Sequence, residues 1–279
     1  MKKFNVGIQL YGVRNSMKAD FEGTLKALRD MGYEYVEFAG YYGKTSAEIK
    51  KILDDLGLKC ISVHQSLDFF ADDPQGAVDY LKGFGVKYVV VPWYEQDKLA
   101  GNPEWENTVK LFRECAELFA KNGMMLGYHN HDFEFKKFDG KYLHDHIFDS
   151  VDKDKIFPEI DTCWVRYAGL SPEDKICQFA GRVPVVHLKD FTCKSLGGGP
   201  VYDLISTDGG TGKTATQEDN GFEFRPLGMG IQDFAKILEA CEKSGTETVV
   251  VEQDKTYGGM SELEAAKIAR DYLKNTFGI

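Results

Sequence analysis

The chain has 279 residues, 43% of them hydrophobic, and a net charge of −10 from 34 Lys and Arg against 44 Asp and Glu. That length and apolar content suit one large core, and no run of 18 apolar residues is present to span a bilayer. The acidic balance repels phosphate backbones, so neither nucleic acid nor membrane is an expected partner.

Asn5, Gln9 and Arg14 interrupt any signal-like run after the two N-terminal lysines, which makes the cytoplasm the expected compartment. The six cysteines (60, 115, 163, 177, 193, 241) form no CxxC pair, so neither a disulfide framework nor a zinc knuckle is expected.

In chain order, apolar β-rich runs begin near residues 4, 34, 59, 87, 125, 156, 183 and 247. Segments of helical period lie between them at 21–32, 46–57, 74–85 and 103–123, then at 231–245 and 261–278. Glycine closes most of these helices, as a residue at positive φ should. The weaker places are HDHIFDSVDKDK (144–155), which gives only a short helix, and Pro158, which cannot donate to a ladder.

Strand, helix, strand with short connections predicts right-handed βαβ units and a parallel sheet. Runs that are apolar nearly throughout are strands covered on both faces. Eight such units close as a single-domain (β/α)8 TIM barrel over residues 1–279, of the α/β class. The open dinucleotide-binding sheet lacks its GxGxxG after the first strand.

The spacing between strand starts is about 25–40 residues until the last pair, where an insertion at 191–230 lengthens it. That loop is expected to be a lid, a substrate wall or a subunit contact. TDGGTGKT (207–214) within it imitates a phosphate loop but has Thr207 where the pattern needs glycine, so it reads as a turn.

Each apolar run carries or ends in a polar or aromatic side chain: Gln9, Glu37, His64, Trp93, His129 with His131, Asp161, His187 and Glu252. In a barrel these ends converge on one mouth. His129, Asp161, His187 and Glu252, from the last four strands, offer imidazole nitrogen and carboxylate oxygen without a thiolate. Such a set suits one Mn²⁺, Mg²⁺, Co²⁺ or Zn²⁺. Asp161 also suits the N-cap of the following helix. Gln9, Glu37, His64, Trp93 and Glu134 are expected to line the substrate pocket.

The series GYHNHDFEF (127–135), EIDTCWV (159–165), VVHLKDF (185–191), PLGMG (226–230) and VVVEQD (249–254) resembles the sugar phosphate isomerase/epimerase superfamily, the xylose isomerase-like barrels. The resemblance covers the whole chain in strand order. It implies one divalent metal held by a Glu, Asp, His, Glu set, with Asp161, His187 and Glu252 matching. At the strand-5 position many relatives have Glu-Asn-His, and this chain has His129-Asn130-His131. There His129 replaces the carboxylate, or else His131 or Glu134 takes the role. Trp164 stands where many relatives have a second histidine. The resemblance further implies pairing of two copies through the strand-7 loop.

A metal that chelates a ketone and the adjacent hydroxyl stabilises an enediolate. Returning the proton to carbon gives an epimer or isomer of a carbohydrate, whereas expelling a β-leaving group gives a dehydratase or lyase. Glu252 is implied as one acid/base, His131 is the candidate for the second, and Lys189 is placed to stabilise the oxyanion. Nothing reads as a phosphate site, so the expected substrate is a non-phosphorylated keto-sugar or keto-inositol. The rivals are metal-dependent nucleic-acid hydrolysis, opposed by the charge, and an inactive sugar-binding barrel.

Overall fold

Valine-rich runs that are buried on both faces have no solvent edge to offer, and here they satisfy their backbones by closing on one another. The computed structural model describes residues 3–197 and 220–279. Its strands are β1 (Asn5–Gln9), β2 (Tyr35–Phe38), β3 (Lys59–His64), β4 (Tyr88–Val91), β5 (Met125–His129), β6 (Ile156–Asp161), β7 (Val185–Leu188) and β8 (Thr248–Val251). They pair in parallel, in sequence order, and β8 returns to β1 to complete the barrel. The expected strand starts lie within two residues of those observed.

Helices α1 (Phe21–Met31), α2 (Ser46–Leu56), α3 (Pro74–Gly83) and α4 (Trp105–Lys121) cover the first half. The short helix after β5 is α5 (Leu143–Ser150), and α6 (Thr162–Tyr167) with α7 (Pro172–Gln178) follow β6. The last two are α8 (Phe234–Ser244) and α9 (Glu262–Phe277). Among the described residues no helix is long and apolar enough to cross a membrane. Pro158 sits inside β6, but the ladder to β7 begins only at Ile160, past the missing donor.

Two layers of core result. The outer one packs the strands' outward side chains against the helices, with Leu25, Leu28, Leu81, Phe112 and Phe119 among its fully buried members. The inner one, within the barrel, holds Ile61, Tyr88, Val90, Phe157, Val185 and Val250. Gly127 on β5 makes room for it, since a Cβ there would meet the Phe157 ring at 2.7 Å and Val90 at 2.9 Å.

The inserted segment begins and ends as a hairpin. Residues 190–192 pair antiparallel with 223–225. The phosphate-loop look-alike at 207–214 lies outside the described residues. Asp190 organises the return: its Oδ2 accepts from the Gly228 and Gly230 N–H groups at 3.0 and 2.9 Å, and its Oδ1 from Gln232 at 3.2 Å. A Cβ on Gly230 would lie 2.1 Å from that carboxylate, so the VHLKD and PLGMG motifs are two halves of one contact.

Substituting Gly127→Ala overpacks the inner layer and should cost about 1–3 kcal/mol, read as a lower thermal midpoint. A pH effect arises on α5. His144 is fully buried among Phe135, Phe148 and Phe179, and neither ring nitrogen has a hydrogen-bond partner. Burial pushes its pKa down to about 4. The unfolded chain therefore takes up this proton first, and the stability held above pH 6.5 is lost as pH falls towards 4. The loss amounts to about 3 kcal/mol. A His144→Leu variant should flatten that part of a urea-denaturation pH profile.

Candidate active site

Strand side chains alternate, so positions two apart share a face. On β6 the inward series runs Phe157, Glu159, Asp161, and on β7 with its extension it runs Val185, His187, Lys189. On β8 it runs Val250, Glu252, Asp254, on β5 Gly127, His129, His131, and on β2 Tyr35, Glu37. The apolar inner layer thus gives way within one residue pair to a buried ionisable one, directly beneath the mouth.

One face of that layer brings His129, Asp161, His187 and Glu252 together, each buried, with a donor atom from each within 4.8 Å of the others. His129 Nε2 lies 3.6 Å from Asp161 Oδ2 and 3.9 Å from Glu252 Oε2, and His187 Nδ1 lies 2.9 Å from Glu252 Oε2. His129 is thereby the strand-5 member of the group. Glu134 is committed elsewhere: it accepts from the Tyr128 hydroxyl at 2.9 Å and the His131 N–H at 2.8 Å, and burial raises its pKa to about 8.

Asp161 serves two purposes. Its Oδ1 accepts from the Cys163 and Trp164 N–H groups at 2.7 and 3.3 Å and caps α6, whereas its Oδ2 has no hydrogen-bond partner and faces the group. Asn130 locks the β5 end to β6 by bonding both the N–H and C=O of Asp161, and Thr162 ties β6 to β7 through the His187 carbonyl. The polar residues flanking the donors therefore fix their strand ends.

Lys189 is 1% exposed, with its ammonium 2.7 Å from Asp254, 3.2 Å from Glu252 and 3.3 Å from Asp161. The faces of Trp164 and Phe224 lie 5.0 and 5.2 Å from it. Burial opposes the charge, but the Asp254, Glu252 and Asp161 carboxylates hold the Lys189 pKa well above its ordinary value. Burial raises Asp161 to about 7 against the pull of Lys189. Glu252 is held well below the usual range against burial by Lys189 and His187.

A second face, deeper in the barrel, carries Glu37, His64, Glu159 and the other nitrogen of His187. Burial disfavours charge on these imidazoles, yet the Glu37 and Glu159 carboxylates raise His64 to about 10, and with Glu252 they hold His187 well above its ordinary value. Burial instead lowers His129 to about 4, and burial with the neighbouring His129 and Lys189 lowers His131 well below its ordinary value.

A cavity of about 450 Å³ opens above the group. Gln9, Tyr11, His64, Trp93, His129, His131, Lys189, Glu252 and Asp254 are among the residues that line it. Two expected lining residues do not reach it: Glu37 lies fully buried below the floor, and Glu134 lies behind His131. Gln9 lines the wall and holds His64, its Nε2 lying 3.0 Å from Nδ1. Trp164 is buried against Phe222 and Phe224, outside the donor group.

Glu159 and Asp254 are the residues of the ionisable layer that sequence reasoning missed. The signal was available, since each lies two positions from Asp161 or Glu252 and so shares its face, as His131 does with His129.

The residues present fit a divalent ion. Asp161 Oδ2 is buried without a hydrogen bond, 3.3 Å from the Lys189 ammonium, the donors are nitrogen and oxygen, and five carboxylates (37, 159, 161, 252, 254) face inward around a single ammonium. With that donor set on a closed eight-stranded barrel, the chain's kinship can be stated. The family model for the xylose isomerase-like TIM barrel matches residues 25–276. The chain belongs to that family.

The Rhizobium meliloti rhizopine catabolism protein MocC is 26% identical over 273 residues, covering 90% of this chain and 80% of its own. Inosose dehydratase of Clostridium beijerinckii is 23% identical over 305 residues, covering 99% and 98%. Among solved structures, a sugar phosphate isomerase/epimerase from Parabacteroides distasonis superposes with TM-score 0.78 at 21% identity over 99% and 96% of the two chains. An IolI protein with a bound zinc atom gives 0.72 at 16% over 99% and 100%.

The double use of Asp161 separates two substitutions. Asp161→Asn keeps an oxygen for the α6 cap, and Asp161→Ala removes it. The alanine variant should be less stable than the asparagine variant by about 0.5–2 kcal/mol in chemical denaturation.

Proposed function

We propose that this barrel catalyses proton transfer beside the carbonyl of a non-phosphorylated keto-sugar or keto-inositol, as an isomerase or epimerase dependent on a divalent metal. The observation that carries the reading is the convergence of His129, Asp161, His187 and Glu252 beneath a cavity whose wall presents His131 and Lys189. The zinc atom bound by the IolI protein supports the same choice of cofactor class.

The cavity argues for the substrate class. Its volume suits a monosaccharide-sized molecule, and Tyr11, Trp93 and Tyr94 offer aromatic surface to a ring. Its cations are already engaged: Lys98 pairs with Glu95 at 2.9 Å, and Lys189 lies among three carboxylates. With Asp68, Glu95, Glu252 and Asp254 also on the wall, a phosphate would enter against negative charge, whereas hydroxyl groups would find acceptors.

His129, Asp161, His187 and Glu252 would hold the cation, which when bound supplies Lewis-acid stabilisation for negative charge developing on a substrate oxygen. Lys189 adds a fixed positive charge to the same region. Its three carboxylate neighbours keep it protonated and hold it in place, so it donates to the oxygen without giving up its proton. His131 enters neutral and can accept the proton from carbon, its basicity rising as negative charge grows beside it. Returned by His131 to the neighbouring carbon, with a hydroxyl proton moving between the two substrate oxygens, that proton gives an isomer and restores the neutral imidazole; Glu252, held ionised by Lys189 and His187, can deliver one for an epimer only after it has itself been protonated.

A second reading, dehydration, is favoured by two observations. The chain is similar to inosose dehydratases along nearly their whole length. His129 also removes one of the two like carboxylates that a symmetric epimerisation would use. One neutral imidazole and one fixed ammonium form an unequal pair, suited to removing a proton on one side and assisting loss of hydroxide on the other.

Incubation with a panel of ketoses and keto-inositols in deuterated water, followed by NMR, tests both. Exchange at the carbon beside the carbonyl with an epimer or isomer as product supports the first reading, and loss of water supports the second. Absence of exchange in metal-loaded protein across the panel overturns both. His131→Gln should slow exchange about 10²–10⁴-fold while leaving the thermal midpoint near that of the parent.

A further inference from the structure

An imidazole can serve a cation only through a nitrogen that carries no proton. Which nitrogen of His129 is left free is decided on the far side of the barrel. Gln9, 1% exposed at the end of β1, accepts the Tyr11 N–H through Oε1, so its carboxamide NH2 is turned the other way. That NH2 lies 3.0 Å from His64 Nδ1. A ring nitrogen that faces a donor must accept, so His64 bears its proton on Nε2, although the carboxylates around it favour a second one.

His64 Nε2 reaches from β3 across the barrel to β6, where Glu159 Oε2 accepts from it at 2.7 Å. The same oxygen lies 3.2 Å from His129 Nδ1. His129 and Glu159 are register partners in the ladder between β5 and β6, which sets them side by side. An ionised carboxylate only accepts, so His129 Nδ1 is the donor in this contact. His187 Nε2 also stands 3.2 Å from Glu159 Oε2, but without hydrogen-bond alignment, and the chain of bonds ends on His129. On the other side of the His129 ring, the Asp161 and Glu252 oxygens lie 3.6 and 3.9 Å from Nε2, beyond hydrogen-bond length. Nothing there calls for a proton.

From these contacts we infer that Glu159 is a positioning residue, the acceptor that locks His129 in its Nδ1–H tautomer and leaves Nε2 unprotonated towards the upper donor group. The chain runs from the Tyr11 N–H through Gln9, His64 and Glu159 to His129, and it joins β1, β3, β6 and β5. The opposite tautomer of His129 would set a lone pair against a buried carboxylate and leave that carboxylate short of a donor, a costly exchange in the barrel interior. Glu159 does not line the cavity, so its part is played through the ring it orients. Gln9 and His64 do line it, and they gain a purpose there that needs no contact with substrate.

The inference rests on the reading of the upper set as a metal site, and a measurement on the metal-free parent protein separates the two. Long-range ¹H–¹⁵N NMR of histidine-labelled protein should show His129 protonated on Nδ1 and His64 on Nε2, opposite tautomers in rings whose centroids are 4.9 Å apart. His129 protonated on Nε2 overturns the inference, whether or not the parent then binds Zn²⁺. The expected tautomers in a parent that binds no Zn²⁺ leave the inference standing and overturn the upper reading.

Two variants test the consequence. Glu159→Leu removes the acceptor and should bind Zn²⁺ about 10–100-fold more weakly than the parent in competition with a chromophoric chelator. Glu159→Gln removes the charge but keeps an oxygen to accept from both rings, and it should retain the parent's tautomers and most of its affinity. Unchanged affinity in Glu159→Leu, or an equal loss in both folded variants, overturns the role assigned to the tautomer.

Discussion

Closure of eight parallel strands decides which side chains face the barrel axis, and that constraint governs everything else in this molecule. An inward position has no solvent to turn to. A polar residue placed there must find its partner among the inward residues of other strands, because burying a charge alone is far more costly than any single packing contact contributes. The lower positions answer with apolar side chains, Phe157, Val185 and Val250 among them, and one glycine that leaves the Phe157 ring its space. The upper positions answer with carboxylates, imidazoles and one ammonium in mutual contact. The boundary is a single step along each strand, which is why the donors of β5 to β8 stand at one height.

That layer is internally unbalanced, and the imbalance shapes the surrounding protein. Lys189 is drawn into the centre although burial opposes its charge, and the rings of Trp164 and Phe224 close over it. Trp164 does not join the donor group. It packs instead with Phe222 and Phe224, so the returning arm of the inserted segment contributes to the floor of the site. The hairpin 190–192/223–225 and the Asp190 contact to the PLGMG turn bring that arm back against the barrel. Motifs that read as signatures in the sequence are here the two ends of a brace.

The barrel was legible from the chain because its signals are local and repeated: apolar runs, helical periods between them, and glycines such as Gly57, which ends α2 at φ +64°. The upper donors were legible because each ends a run. Glu159 and Asp254 were not, since one sits within an apolar strand and the other in a connecting loop. Only the alternation of faces relates them to Asp161 and Glu252. Glu37 and Glu134 were assigned to the pocket wall from polarity alone. Their depth depends on the tilt of β2 and on the turn after β5, which bonds from Ser62, Tyr128 and the His131 N–H settle.

The histidine at position 129 is the point where chemistry and architecture meet. A carboxylate there would add a negative charge to a layer that already holds five inward carboxylates, close to Glu159. Neutral His129 donates from Nδ1 to the Glu159 carboxylate and presents Nε2 to the upper set, so it connects the two faces without adding a negative charge. The pairing of His129 with Glu159 sets an imidazole at the cavity floor and a carboxylate beneath it in the barrel. With His129 Nε2 turned to the donor group, a base for the substrate must come from elsewhere on the wall. His131 is the neighbouring imidazole on the same face of the same strand.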